Sequence, residues 1–152
     1  MTGDAVNTND YTNLEPLAAA FVAATLPKEA WTHQAHLLVG LWHVEQFGAA
    51  GALERLRTGI RRLNDSHGTP NSDSRGYHET MTRLYVDLIA QFCDALPADL
   101  PMEDRAGRLL ASPIAARDVA LQFYSRDVLF SVAARRHWVE PDLRSLAEAR
   151  SL

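Results

Sequence analysis

The sequence has little of several things, and each shortage excludes something. It holds one cysteine, Cys93, so no internal disulfide framework can form. A lone thiol suits a reducing compartment, and a cytoplasmic location is expected. No run of ~18 apolar residues occurs, so no membrane partner is expected. The first residues, MTGDAVNTND, lack the basic and apolar regions of a signal peptide. One lysine stands against fourteen arginines, and the formal net charge is -4. Without a basic excess, no nucleic-acid partner is expected. The arginine bias, with abundant alanine, suggests GC-rich coding and a bacterial source. Asn-Gly and Asp-Gly turns between β-branched runs are absent, as is strand-like alternation. Neither G-x-S-x-G, a P-loop nor the Cys pairs of a zinc ribbon occur.

What is present reads as one helical domain. Of 152 residues, 47% are hydrophobic and 22% charged, which is enough apolar chain to bury a core. Residues 1–11 are polar and are expected to form a disordered tail, with a single helical domain over 12–152. Leu14, Leu17, Ala18, Phe21 and Val22 recur with helical period and predict a helix over about 14–26. Asn13 would cap it and Pro27 would stop it. A second helix is predicted over 32–47, with Thr32 as N-cap and Gly48 just past its end. A third is predicted over 52–66, followed by Gly68. TPNSDSRG, 69–76, is a turn-rich loop. A fourth helix is predicted over 77–96, ended by Pro97. Shorter helices are expected near 103–111, 113–124 and 126–137, with Pro113 at a first helical position, and a last one after Pro141. The predicted fold is all-α: an antiparallel helical bundle with additional short C-terminal helices.

WTHQAHLLVGLWH, 31–43, carries three of the six histidines. At about 100° per residue, His33 and His43 fall near +60° and -20° from His36, on or beside the apolar face. At a rise of ~1.5 Å per residue, His33 and His36 lie about 4.5 Å apart along the axis. They can converge on one ion or one substrate atom. His43, about 10.5 Å beyond His36, cannot readily join them. An imidazole on an apolar face is also an ordinary core residue when it bonds a carbonyl, and that alternative stays open here. Gly40, on the same face, either opens space or admits a close neighbouring helix.

GYHETMT, 76–82, opens the fourth helix. On its wheel His78 falls inside the apolar arc, Thr82 at the edge, and Glu79 about 100° away. Partial positive charge at a helix start disfavours imidazolium and favours Glu79 as an anion. A neutral imidazole suits a general base, a hydrogen-bond donor or a metal ligand. The zinc motif HExxH is not formed, because residues 78–82 read HETMT. A metal would need two helices, through His33, His36 and His78, with water completing the sphere. The cofactor so implied is one divalent transition metal. Arg55, Arg57, Arg61 and Arg62 read as a solvated face paired with acids. FYSRDVLFSVAARRHWVEPDL, 123–143, adds Tyr124 and Arg126 as groups that could bind a carboxylate or phosphate. Ser125 reads as an N-cap and Trp138 as a core anchor.

The order WTHQAHL, RTGIRRLN, GYHETMT and FYSRDVLFSVAARRHWVEPDL resembles a family of small all-α bacterial proteins with no assigned function. The resemblance spans about residues 30–145, and its most specific pieces are T-H-x-x-H-L and G-Y-H-E-T. It implies that His33, His36, His78 and Glu79 belong to the family pattern, and it implies no mechanism. In size and histidine usage the chain is also similar to the DinB-like metal-binding four-helix bundles. Their histidine spacing is not matched, so that likeness is an analogy of fold.

These readings predict a small cytoplasmic enzyme acting on a small molecule in a bundle-core pocket. His33, His36, His78 and Glu79 would be catalytic. Tyr77, Thr82, Tyr85, Tyr124 and Arg126 would bind substrate. The chemistry would be proton transfer, of isomerase, lyase or cyclase type, or metal-assisted. The alternative is a non-catalytic ligand-binding or protein-interaction domain with structural core histidines. A homodimer is left open. Convergence of His33, His36 and His78 on one cavity would favour chemistry. A separate backbone carbonyl for each would favour the alternative.

Overall fold

The computed structural model describes residues 14–151. The predicted tail, residues 1–11, and the predicted cap Asn13 lie outside them. Among the described residues the chain is all-α, with six α-helices, no strand, and short helices at the C-terminal end. No helix among them is long and apolar enough to cross a membrane.

Helix α1 spans Glu15–Val22 and carries Pro16 in its first turn, where the missing N–H has no helical partner to lose. It ends short of Leu26. Ala24 takes a left-handed φ of 57°, and the Thr25 N–H donates back to the Ala20 carbonyl at 2.9 Å. That turn closes the helix with alanine where glycine is usual, so Pro27 is not the stop. Phe21, buried on α1, packs so closely on Gly59 that a Cβ there would stand 2.5 Å from its ring.

Helix α2 spans His33–Ser66. Thr32 caps it as predicted, its hydroxyl accepting from the Ala35 N–H at 3.2 Å. Gly48 interrupts it with φ 71° and ψ 174°, a backbone region open essentially to glycine alone. A straight helix would set Leu37 and Leu56 about 28 Å apart. Instead both border one cavity. Gly48 therefore bends α2 into two limbs, which correspond to the two predicted helices. His67 ends the second limb, and its Nε2–H donates to the Leu26 carbonyl at 2.7 Å.

Helix α3 spans Glu79–Asp94 and makes its most extensive contact with α2. Gly40 admits that contact, since an added Cβ would stand 3.0 Å from the Ile89 Cδ1. Helix α4 spans Met102–Leu110. Its buried Arg105 donates to the carbonyls of Leu100 at 2.8 Å and Pro97 at 2.9 Å, and pairs with Glu45 at 3.2 Å. One side chain thus pins the 97–101 loop, and no pattern in the sequence marks it.

The two later predicted helices are broken up. Residues 113–124 form two 3-10 turns, Pro113–Ala115 and Val119–Gln122. Residues 126–137 form α5, Arg126–Leu129, and α6, Val132–Arg136. Ser125 caps α5 as predicted. Ser131 caps α6, accepting from the Ala134 N–H at 3.1 Å, and so competes with continuation of α5. Thr80, fully buried on α3, fastens the segment that follows. Its hydroxyl donates to the His137 carbonyl at 2.7 Å and accepts from the Val139 N–H at 3.1 Å.

Candidate functional site

A cavity of about 380 Å³ lies between the two limbs of α2 and the start of α3, within the size range of small-molecule sites. Leu37, Leu56, Ile60, Met81 and Ile89 supply apolar wall. Six of the predicted site residues border it: His33, His36, Tyr77, His78, Thr82 and Tyr85. Glu79, Tyr124 and Arg126 do not. Trp31 and Arg117 border it too.

His36 comes from the first turn of α2. Its Nδ1 lies 2.7 Å from the Thr32 carbonyl. A carbonyl only accepts, so Nδ1 carries the proton and the neutral ring keeps its lone pair on Nε2. The ring stacks on Trp31, with centroids 3.7 Å apart and planes at 27°. His36 is an exposed residue that borders the cavity. Desolvation where the ring packs on its neighbours lowers its pKa to about 4, against the Thr32 bond and with help from neighbouring His33. It is a neutral base at pH 7.

His33 uses its other nitrogen. Its Nε2–H donates to the Ala115 carbonyl at 2.9 Å, leaving the lone pair on Nδ1. The ring meets Tyr85 edge-on at 6.3 Å. The bond to Ala115 fastens the turn that carries Arg117 against the start of α2.

His78 is not in the helix, as its wheel position assumed. It is the N-cap of α3, with extended φ and ψ of -134° and 107°. Nδ1 accepts from the Met81 N–H at 3.1 Å, and Nε2–H donates to the Leu129 carbonyl at 2.7 Å. Both nitrogens are engaged. Burial lowers its pKa, against the Leu129 bond, and the Arg135 charge lowers it further.

Glu79 is held in an ion pair. Arg57 donates to both its oxygens, at 2.9 and 2.7 Å, and the Tyr77 hydroxyl donates at 2.7 Å. The Arg57 bonds hold its carboxyl below the usual range although burial opposes this. Such a carboxylate is a weak base. Burial raises the Tyr77 hydroxyl, and its bond to Glu79 raises it further. Arg61 stacks over the Tyr77 ring at 4.9 Å. Of the four arginines predicted to pair with acids, Arg57 does so and anchors the start of α3, while Arg55 and Arg61 lie over the Phe47 and Tyr77 rings.

Two further groups bordering the cavity have no hydrogen-bond partner among the described residues. The Tyr85 hydroxyl makes no hydrogen bond among the described residues. Burial pushes it up to about 12, with the Asp118 charge adding. Arg117 is exposed and has neither an ion pair nor a hydrogen bond among the described residues. Sequence reasoning passed over Arg117, which sits between two 3-10 turns where no periodicity assigns it a face.

The remaining expectations are corrected by position. Tyr124 is fully buried, and its hydroxyl donates to the Val139 carbonyl at 2.5 Å, away from the cavity. Arg126 is exposed at the start of α5. No group of three or more His, Cys, Asp or Glu among the described residues is placed to hold a metal ion. The predicted ligand set His33, His36 and His78 is not assembled: both nitrogens of His78 are already bonded, and the three form no metal-holding group among the described residues. His43 is a core residue, 2% exposed, with its Nδ1–H donated to the Val39 carbonyl and its ring edge-on to Phe21. Set against known protein families, curated proteins and solved structures, the chain matches none.

Proposed function

We propose that this chain binds a small, largely apolar molecule in the cavity between α2 and α3. The carrying observation is the cavity itself. Its walls are mostly apolar, its volume equals that of about a dozen waters at ~30 Å³ each, and it borders polar side chains with no hydrogen-bond partner among the described residues. Such a combination is typical of ligand sites. The setting that suits it is the reducing cytoplasm of a bacterial cell, given the lone, half-buried Cys93. Neither nucleic acid nor membrane is among its proposed partners.

A second reading is proton-transfer catalysis, and His36 favours it. A neutral imidazole with a lone pair on Nε2, bordering an apolar cavity, is equipped to accept a proton. Neither Glu79 nor His78 supports that role, because their acceptor groups are already bonded.

The test is ligand-observed NMR with a panel of neutral aromatic fragments, on the wild type and on Ile60→Trp and Met81→Trp, which fill the cavity. Binding that disappears in the filled variants is expected. No binding, or binding indifferent to filling, sinks the proposal. For the second reading, deuterium uptake at carbon in a bound fragment should vanish in His36→Gln.

A further inference from the structure

The polar end of the cavity narrows the kind of ligand, on the premise that the cavity binds one at all. Most arginines near the core are engaged: Arg57 with Glu79, Arg105 with Glu45, Arg61 over Tyr77. Arg117 borders the cavity and has no such partner among the described residues. Its place is built rather than incidental. His33 holds the Ala115 carbonyl, two residues before Arg117, so the turn carrying the guanidinium is tied to the cavity wall. Tyr85, edge-on to the same His33 ring, adds a hydroxyl donor without a partner among the described residues. Asp118 acts on Tyr85 electrostatically but does not border the cavity.

A guanidinium and a hydroxyl form a donor set for an anion. The cavity borders no second arginine and no lysine, and its His36 and His78 rings are neutral at pH 7. One cation matches a single negative charge, a carboxylate, better than a doubly charged phosphate ester. Away from Arg117 the wall is mostly apolar, with the Trp31 and His36 rings stacked as a flat slab. We infer that the cavity takes the anion of a small aromatic carboxylic acid, its carboxylate on Arg117 and Tyr85 and its ring among Trp31, Ile60 and Met81.

The experiment titrates 3-phenylpropionate, 3-phenylpropionamide and octanoate into isotope-labelled protein, following the Trp31 indole and histidine ring signals. The acid should bind about tenfold more tightly than its neutral amide, the gain of one charge-assisted pair. In Arg117→Gln the acid should fall to the level of the amide, whose own affinity stays unchanged. Arg117 is exposed, so this variant keeps its fold. Equal binding of acid and amide to the wild type overturns the inference and leaves the cavity as a neutral-ligand site. Octanoate binding as tightly as 3-phenylpropionate overturns the aromatic body. No cavity shift with any of the three overturns the inference together with the ligand-binding proposal.

Discussion

The start of α2 and the start of α3 present histidines to the same cavity, yet they treat them differently. At α3 the polar groups are bonded to protein. His78 uses both nitrogens, Glu79 accepts from Arg57 and Tyr77, and the Thr82 hydroxyl donates to the His78 carbonyl at 2.8 Å. At α2, His33 and His36 each bond one carbonyl and keep one lone pair. A histidine's chemistry depends on what its second nitrogen is doing. By that measure GYHET is a joint that fixes α3 to α2 and to Leu129, and THQAH is the wall with capacity to spare.

Truncation should separate the two regions most sharply. His78→Ala removes a cap, worth about 1 kcal/mol, and strands the buried Leu129 carbonyl, worth roughly 1–3 kcal/mol. A loss of about 2–4 kcal/mol in urea unfolding is expected. His36→Ala removes a stacked ring and a bond to a carbonyl that also accepts the His36 N–H, so about 1 kcal/mol is expected. Equal losses would break the distinction. Next in size is Glu79→Ala, which leaves Arg57 and the Tyr77 hydroxyl unpaired and should cost roughly 1–3 kcal/mol. Reversal of part of that loss in the double variant Arg57→Ala/Glu79→Ala would show the pair as a unit.

Acid should sharpen the same contrast. Unfolded His36 takes a proton near its ordinary 6.5, whereas folded His36 stays neutral to about 4. The unfolded state therefore binds more protons between those values, and stability falls as pH drops from about 6.5 to about 4. His43 and His78, also lowered, add in the same direction. Glu79, lowered from 4.5, extends the loss below that point. Denaturant midpoints measured from pH 7 to 4 should show this slope, and His36→Gln should flatten it. A slope unchanged in that variant would mean the ring is already charged in the fold. The smallest effect belongs to Arg126→Ala, exposed and away from the cavity, with a change within about 0.5 kcal/mol and no effect on fragment binding.

Much of the fold was legible because helices announce themselves by period and punctuation. Thr32, Gly48 and Ser125 act where the sequence put them. Ala24 was not legible, since a left-handed alanine has no compositional signal. Ser131 was read past, because a serine inside an apolar period looks like a tolerated helix residue until its hydroxyl caps the next helix. That His33, His36, Thr82 and Tyr85 border one cavity was readable from helix faces, whereas Tyr77 and His78 reach it from outside the helix. The state of each nitrogen was not. It depends on Leu129 and Ala115, far along the chain, and a helix wheel holds no partners from other elements. The wheel also misplaced His78, because an N-cap residue has left helical geometry and its side chain follows a different direction.

Gly48 makes a corner without a loop. The second limb of α2 brings Leu56 and Ile60 to the cavity and Arg57 to Glu79, and it does so with helix on both sides of a single residue. There is no slack in such a corner. Each residue inserted between Gly48 and Leu56 would carry all three side chains about 100° around the helix axis. One insertion would turn Ile60 off the cavity and Arg57 off its acid together, while three or four would bring back their direction but slide them about 5 Å along the axis. The cavity is in that sense written in both phase and length, and no change of length in this limb should leave it intact.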